Sequence, residues 1–268
     1  AAKWAPREKC AHASLAKKLA HATFPEEKHP KPLYRKLLSS ITSTIDVPEI
    51  KMCAGSWSEI KPSEVPARCL GTKRRAFLNL KGKADEQRSG KRDRIACAEN
   101  FEAHAKLCVS DPEKAKMHGK VQHPHEMVAP YLKGYGSIQV DPIIEAQWTD
   151  LRTRLRNEGA LGKMIPLVDV SGSMSGTPME VAIALGILIS EVTHPSIRDR
   201  FLTFSSDPVW HVLRPGWSLA NKVESARKAK WGMSTDFSKA LRMILEVCVC
   251  AKVSPEEVSQ MQLVVLSD

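Results

Sequence analysis

The feature that most restricts the fold is an alternation in the second half of the chain. Short apolar runs at Met164 to Val168, in RFLTFSS, in PVWHVL and in MQLVVLSD are separated by segments with helical periodicity. TPMEVAIALGILISEV is apolar on nearly every side, which predicts a buried helix. SLANKVESARKAK and SKALRMILEVCVCA predict two more. Strands alternating with helices over short connections predict an α/β architecture, a doubly wound parallel sheet. Ligands of such sheets sit at the carboxyl ends of the strands, so the residues that follow each strand carry the functional reading.

Directly after the first strand the chain reads DVSGSMSGT. Asp169, Ser171 and Ser173 alternate with Val170 and Gly172, and a sharp turn at Gly172 would let their oxygens converge. Carboxylate and hydroxyl groups without imidazole or thiolate are ligands for a hard divalent cation, Mg²⁺, Mn²⁺ or Ca²⁺. A serine-hydrolase elbow is excluded, because in GSMSG the nucleophile position is Met174. A phosphate-binding loop is excluded by the absence of any lysine between Lys163 and Lys222. An aspartyl-phosphate site would want an acid where Ser171 stands. Metal binding and simple capping of the following helix by the serines both fit this segment.

DVSGS resembles the D-x-S-x-S signature of von Willebrand factor A domains, whose metal-ion-dependent adhesion site adds a threonine and an aspartate from two further loops. Thr235 in WGMSTDF and Asp268 at the end of QLVVLSD match those positions in order. The resemblance implies Ser171 and Ser173 as direct metal ligands, Thr235 as a direct or water-mediated one, and Asp169 and Asp268 acting through water. It implies Mg²⁺ as the first choice of cation, with Mn²⁺ or Ca²⁺ as substitutes, and an acidic side chain of a protein partner in the open coordination position. Asp236 is left as a helix N-cap. The phrases DVSGSMSGTPMEVAIALG, ITSTIDVPEIKMCAGSWSEI and WGMSTDF are also similar to an uncharacterised family of plants, fungi and giant viruses, with a helical N-terminal part before an A-type domain. That arrangement is similar to the TROVE proteins, whose helical ring binds RNA. The expected division is a helical region over 1–142 and an A-type domain, truncated at its C-terminal side, over 143–268.

The first half reads as helices broken by proline. Apolar residues recur at helical steps over Ala11 to Ala22 and Leu33 to Ile45, and further helices are expected near 65–80, 92–109 and 124–133, with no competing strand pattern. Residues 134–142 form the expected connector, and IIEAQWTDLRTRLRNEG a helix closed by Gly159. Residues 1–150 hold 26 Lys and Arg against 18 Asp and Glu, so the basic excess of the chain lies there. It is densest over 73–94, where Lys73, Arg74, Arg75, Lys91, Arg92 and Arg94 are candidate phosphate contacts for RNA. A solvated loop and helix face accounts for the same charges.

Seven cysteines without a CxxC pair indicate neither a disulfide framework nor a zinc knuckle, and a reducing, intracellular and cytoplasmic setting is expected. The chain opens without an initiator Met or an apolar signal core, as an internal fragment would. No stretch approaches the roughly 20 apolar residues of a membrane span. HPHE at 123–126 reads as a loop-to-helix junction rather than a zinc site, and Trp4, Trp57 and Trp148 as packing residues rather than base-stacking platforms. The sequence carries no recognisable catalytic pairing. A metal-dependent protein-binding module without catalytic activity is therefore expected, with RNA binding through the basic half as the alternative.

Overall fold

A computed structural model describes residues 5–45, 47–82, 86–119, 122–133, 139–159, 161–169, 171–229 and 236–267. The chain divides into two compact units, residues 1–60 with 90–97, and residues 61–89 with 98–268.

In the first unit α1 (Ala13–Thr23) and α2 (Pro30–Thr44) bury Ala16 and Ala20 against Tyr34 and Leu38. The small alanines let the two helices approach, and PEEKHPKP separates them because proline cannot continue a helix. A short α3 (Pro48–Ala54), not anticipated from periodicity, ends at Gly55 in the left-handed conformation, φ 82°. Next, the turn over Trp57–Glu59 is tied to Asp93, which accepts from the Trp57 amide (2.7 Å), the Ser58 amide (2.9 Å) and the Ser58 hydroxyl (2.6 Å). The Arg94 guanidinium lies 3.4 Å from the centre of the Trp57 ring.

The second unit opens with α4 (Ala67–Phe77) and a two-stranded hairpin, β1 (Leu80–Lys81) paired antiparallel with β2 (Glu86–Gln87). The hairpin corrects the expectation of helix alone in this half; its strands are too short to show a period. Helix α5 (Arg92–Ser110) begins in the first unit and continues into the second, where Phe101 stacks on Phe77 with ring centres 4.5 Å apart. Helix α6 (Pro124–Leu132) starts as expected, with Glu126 reaching back to the His123 amide at 3.2 Å. Helix α7 (Pro142–Glu158) is capped by Asp141 and closed by Gly159 at φ 69°.

The sheet contains β3 (Met164–Val168), β4 (Arg200–Thr203), β5 (Trp210–Val212) and β6 (Gln262–Leu266) in the order β5-β4-β3-β6. β3 is parallel to β4 and to β6, as the alternation predicts. β5 is antiparallel to β4, so the sheet is mixed rather than wholly parallel. The link from Thr203 to Trp210 is too short for a parallel crossover, which needs about a dozen residues or more, and forces the chain to turn back.

Helix α8 (Thr177–Val192) crosses the sheet with Ala182, Ile183, Ile187 and Leu188 buried in one cluster with α6, α7 and α9 (Leu219–Arg227). α10 (Phe237–Cys250) and the short α11 (Pro255–Ser259) border a second cluster, in which Ala240, Ile244 and Cys248 meet Ile165, Leu167 and Leu202. β3 is buried because both clusters draw on it, Val168 into one and Ile165 and Leu167 into the other. Among the described residues no helix is long and apolar enough to cross a membrane.

Candidate metal centre

The register aligns Val168 with Thr203 on one side and Leu266 on the other, so three chain segments leave the sheet together. The ladder continues one residue beyond the strands: the Asp169 amide donates to the Leu266 carbonyl (2.9 Å), and the Phe204 amide to the Val168 carbonyl (2.8 Å). Asp169, Phe204 and Ser267 are thereby held side by side at the carboxyl end of the sheet.

Local chemistry then shapes the loop after β3. Residues Gly172–Met174 make one turn of 3-10 helix. Met174 is buried in the main apolar cluster while Ser173 and Ser175 on either side are exposed, so one side chain pins a turn whose hydroxyls face outward. Gly176, at φ 93° and ψ −138°, joins that turn to α8 in a conformation essentially restricted to glycine.

The Asp169 carboxylate is fixed at both oxygens. Oδ1 accepts from the Ser171 amide at 2.7 Å and Oδ2 from the Ser267 hydroxyl at 2.8 Å. The hydroxyls of Ser171 and Ser173 are hydrogen-bonded to one another at 2.9 Å. Asp169, Ser171 and Ser173 are thus brought together as their spacing suggested, with Asp169 itself buried. Thr235 and Asp268 lie outside the described residues.

The neighbours on either side are informative. Asp236 caps α10 by accepting from the Lys239 amide (2.9 Å), the role expected for it, and its own amide donates to the Ser205 carbonyl in the loop after β4 (3.2 Å). Lys239 also pairs with Asp207 in that loop, and this hydrogen bond and charge hold the Asp207 carboxyl below the usual carboxylate range. Glu180, in the first turn of α8, is buried and pairs with Lys133 at 2.8 Å. Ser267, Ser205, Asp207 and Lys239 were not singled out by the sequence reading. Strand register brings Ser267, Ser205 and Asp207 to this end of the sheet and the packing of α10 brings Lys239, although Ser267 could have been suspected from its position beside Asp268. Among the described residues no three His, Cys, Asp or Glu side chains converge to hold a metal ion. A cation here would depend on hydroxyl oxygens.

The basic candidates are divided between the two units. Lys73, Arg74 and Arg75 belong to α4, and Lys91, Arg92 and Arg94 to the other unit at the start of α5. Arg74 is committed to Asp141 (3.0 Å) and to the Gly71 carbonyl (2.8 Å). Arg94 is buried against Trp57. Lys73, Lys91 and Arg92 are exposed. Trp148 is buried, as expected of a packing residue, and Trp4 lies outside the described residues.

Residues 163–268 match a family whose description is "Domain of unknown function (DUF7788)". The chain is also similar to "Uncharacterized protein L728" of Acanthamoeba polyphaga mimivirus, 33% identical over 257 residues, which is 96% of this chain. It spans 43% of the length of that relative. No solved structure matches the chain.

Proposed function

We propose that the hydroxyl-rich turn after β3 holds a divalent cation, Mg²⁺ in the first instance, and presents it to an acidic side chain of a protein partner. The observation that carries this reading is the 2.9 Å spacing of the Ser171 and Ser173 hydroxyls beside a carboxylate fixed at both oxygens. Octahedral Mg²⁺ binds oxygen at about 2.0–2.1 Å, so two adjacent ligands lie about 2.9 Å apart. Ser171 and Ser173 fit one edge of that octahedron. Asp169, fixed behind them, supplies negative charge through a bound water. The resemblance to von Willebrand factor A domains adds Thr235 and Asp268 as the remaining ligands. With the direct contacts made by hydroxyls and the carboxylates acting through water, the cation keeps a positive character that favours a carboxylate from outside, as a protein-binding device requires.

Titration of the full chain with Mn²⁺, followed by calorimetry and electron paramagnetic resonance, tests this. Ser173→Ala and Ser171→Ala should each weaken binding at least tenfold. Ser173 is exposed, so its loss should change unfolding free energy by no more than about 0.5 kcal/mol. Absence of ion binding at millimolar concentration, or unchanged affinity in both variants, would make the serines helix-capping groups only. Retention of acidic peptides should disappear with chelator. If instead the protein captures RNA with a steep salt dependence that Lys73→Ala, Lys91→Ala and Arg92→Ala together reduce, the RNA alternative replaces this reading.

A further inference from the structure

At the other end of α8 the second unit contains a cavity of about 590 Å³, within the range of small-molecule sites. Its walls come from the last turns of α5, the first half of α7 and the start of α9. Glu191, which lines it, is separated from the turn at Thr177 by roughly 21 Å of helix. The cavity is therefore distinct from the candidate metal centre.

A buried charge network borders the cavity: with Lys222 counted behind Glu191, the three cations Lys106, Arg152 and Lys222 stand against the two carboxylates Glu145 and Glu191. Glu191 and Lys222 are each 2% exposed and paired with one another. The same carboxylate accepts from the Trp148 indole N–H at 2.7 Å and, at only 3.4 Å, from Arg152. Arg156 donates to the Glu191 backbone carbonyl at 2.8 Å. Lys222 pairs with Glu191 more closely than Arg152 does, which leaves most of the Arg152 donors unused. The long contact of Arg152 with Glu191 is its one hydrogen bond among the described residues, and its side chain is 29% exposed. Glu145 is a second carboxylate in the lining, but its two oxygens accept from the Leu219 and Ala220 amides at 2.8 and 3.1 Å and make no bond to Arg152, while Lys106, exposed on α5, adds another cation. A planar guanidinium with unused donors in a partly dry cavity matches a carboxylate in bidentate geometry.

The walls beyond this network are of another character. Trp148 and Trp217 contribute aromatic surface, and Val109 and Val140 are 47% and 48% exposed at the rim. We propose that this cavity binds a small organic carboxylate with a flat apolar body, the carboxylate taken by Arg152 and the body lying along Trp217, Val109 and Val140. The cation at the bottom fixes orientation, and the aromatic and branched walls supply the burial.

The test uses the full chain with chelator present, so that its outcome is independent of metal binding. The probes are 2-naphthoate and its uncharged analogue 2-naphthamide, followed by calorimetry and by indole N–H signals of tryptophan-labelled protein. Naphthoate should bind at least tenfold tighter than naphthamide and shift the Trp148 and Trp217 signals. Arg152→Gln should abolish the preference for the acid. Because that change also touches Glu191, Val109→Trp serves as the second variant: it closes the rim from an exposed helix position and should weaken naphthoate at least tenfold with an unchanged melting temperature. Equal affinity for the two probes, no binding at millimolar concentration, or naphthoate binding that survives Val109→Trp would each overturn the assignment.

Discussion

At the scale of single residues, the loop after β3 shows how one buried side chain serves many exposed ones. Met174 anchors the turn, and Asp169 is tied to Ser171 and Ser267. The D-x-S-x-S spacing made Asp169, Ser171 and Ser173 legible in the sequence, because a two-residue step about a glycine is a local property. Ser267 was not legible, since its partner lies far away in the chain and meets it only through strand register. Cysteine environment gives a residue-scale prediction. Cys97 and Cys108 are buried, and burial raises both thiols to about 11, with Arg94 pulling Cys97 partly back down. Burial likewise raises the Cys248 thiol. A thiol far above its ordinary range carries little thiolate near pH 8 and reacts slowly. Cys10, Cys53 and Cys250 are exposed. A disulfide-exchange reagent at pH 8 should modify these three in a fast phase, with Cys97, Cys108 and Cys248 reacting only on unfolding. Peptide mapping that finds Cys97 labelled as fast as Cys53 would contradict the packing described.

At the scale of elements, the contact between α8 and β3 fixes the height at which the loop after β3 leaves the sheet. A Cβ built on Gly186 would lie 2.6 Å from Cγ2 of Val168, the last residue of β3 before Asp169. The glycine is therefore a close-approach device rather than a flexible point. Gly186→Ala gains about 1 kcal/mol of helix propensity, whereas overpacking a tight core costs about 1–3 kcal/mol, so net destabilisation by about 1 kcal/mol is expected. The strain should also reach Asp169 and weaken Mn²⁺ binding. Val168→Ala makes room, and the double variant should be less destabilised than the sum of the singles by about 1 kcal/mol in denaturant unfolding. Strict additivity would show that helix and strand do not meet there. Long, strongly patterned elements such as α7 and α8 were legible from periodicity. The hairpin of β1 and β2 was not, because two-residue strands have no period. The direction of β5 could have been read from its short connection to β4.

At the scale of the whole molecule, the hydrogen-bonded Asp93 of the first unit and the buried Asp141 and Glu145 of the second respond oppositely to acid, while the lowered Asp207 and Glu224 of the second unit are solvent-exposed pairs of small weight. In the first unit burial raises the Asp93 carboxyl, but the Ser58 hydroxyl and the Ser58 and Trp57 amides together outweigh that and hold it below the aspartate range. Stability from a lowered carboxyl is complete above the unfolded value, about 3.9, and is lost as pH falls through the folded one. In the second unit burial raises Asp141 and Glu145, with Arg74 and backbone amides offsetting part of the effect. A raised carboxyl contributes stability that is present below the unfolded value and declines as pH rises through the folded one. Acidification below about pH 4 should therefore loosen the first unit before the second. In tryptophan-labelled protein the Trp57 indole signal should broaden at a higher pH than that of Trp148. Simultaneous loss, or Trp148 first, would refute this.

The sequence by itself determined the long helices, the strands of the main sheet and the clustering of Asp169, Ser171 and Ser173 after β3, because helical and strand periods and the D-x-S-x-S spacing act over a few residues. It also excluded a hydrolase elbow and a phosphate loop by spelling alone. Tertiary structure decided which distant groups meet. Ser267 closes on Asp169, Arg74 and Arg94 turn inward to Asp141 and Trp57 rather than outward, and Glu191 gathers Lys222, Arg152 and Trp148. The physical reason is range. Backbone preferences are set by neighbours in sequence, whereas the pairing of buried charges and hydroxyls depends on strand register and helix packing, which no local pattern encodes.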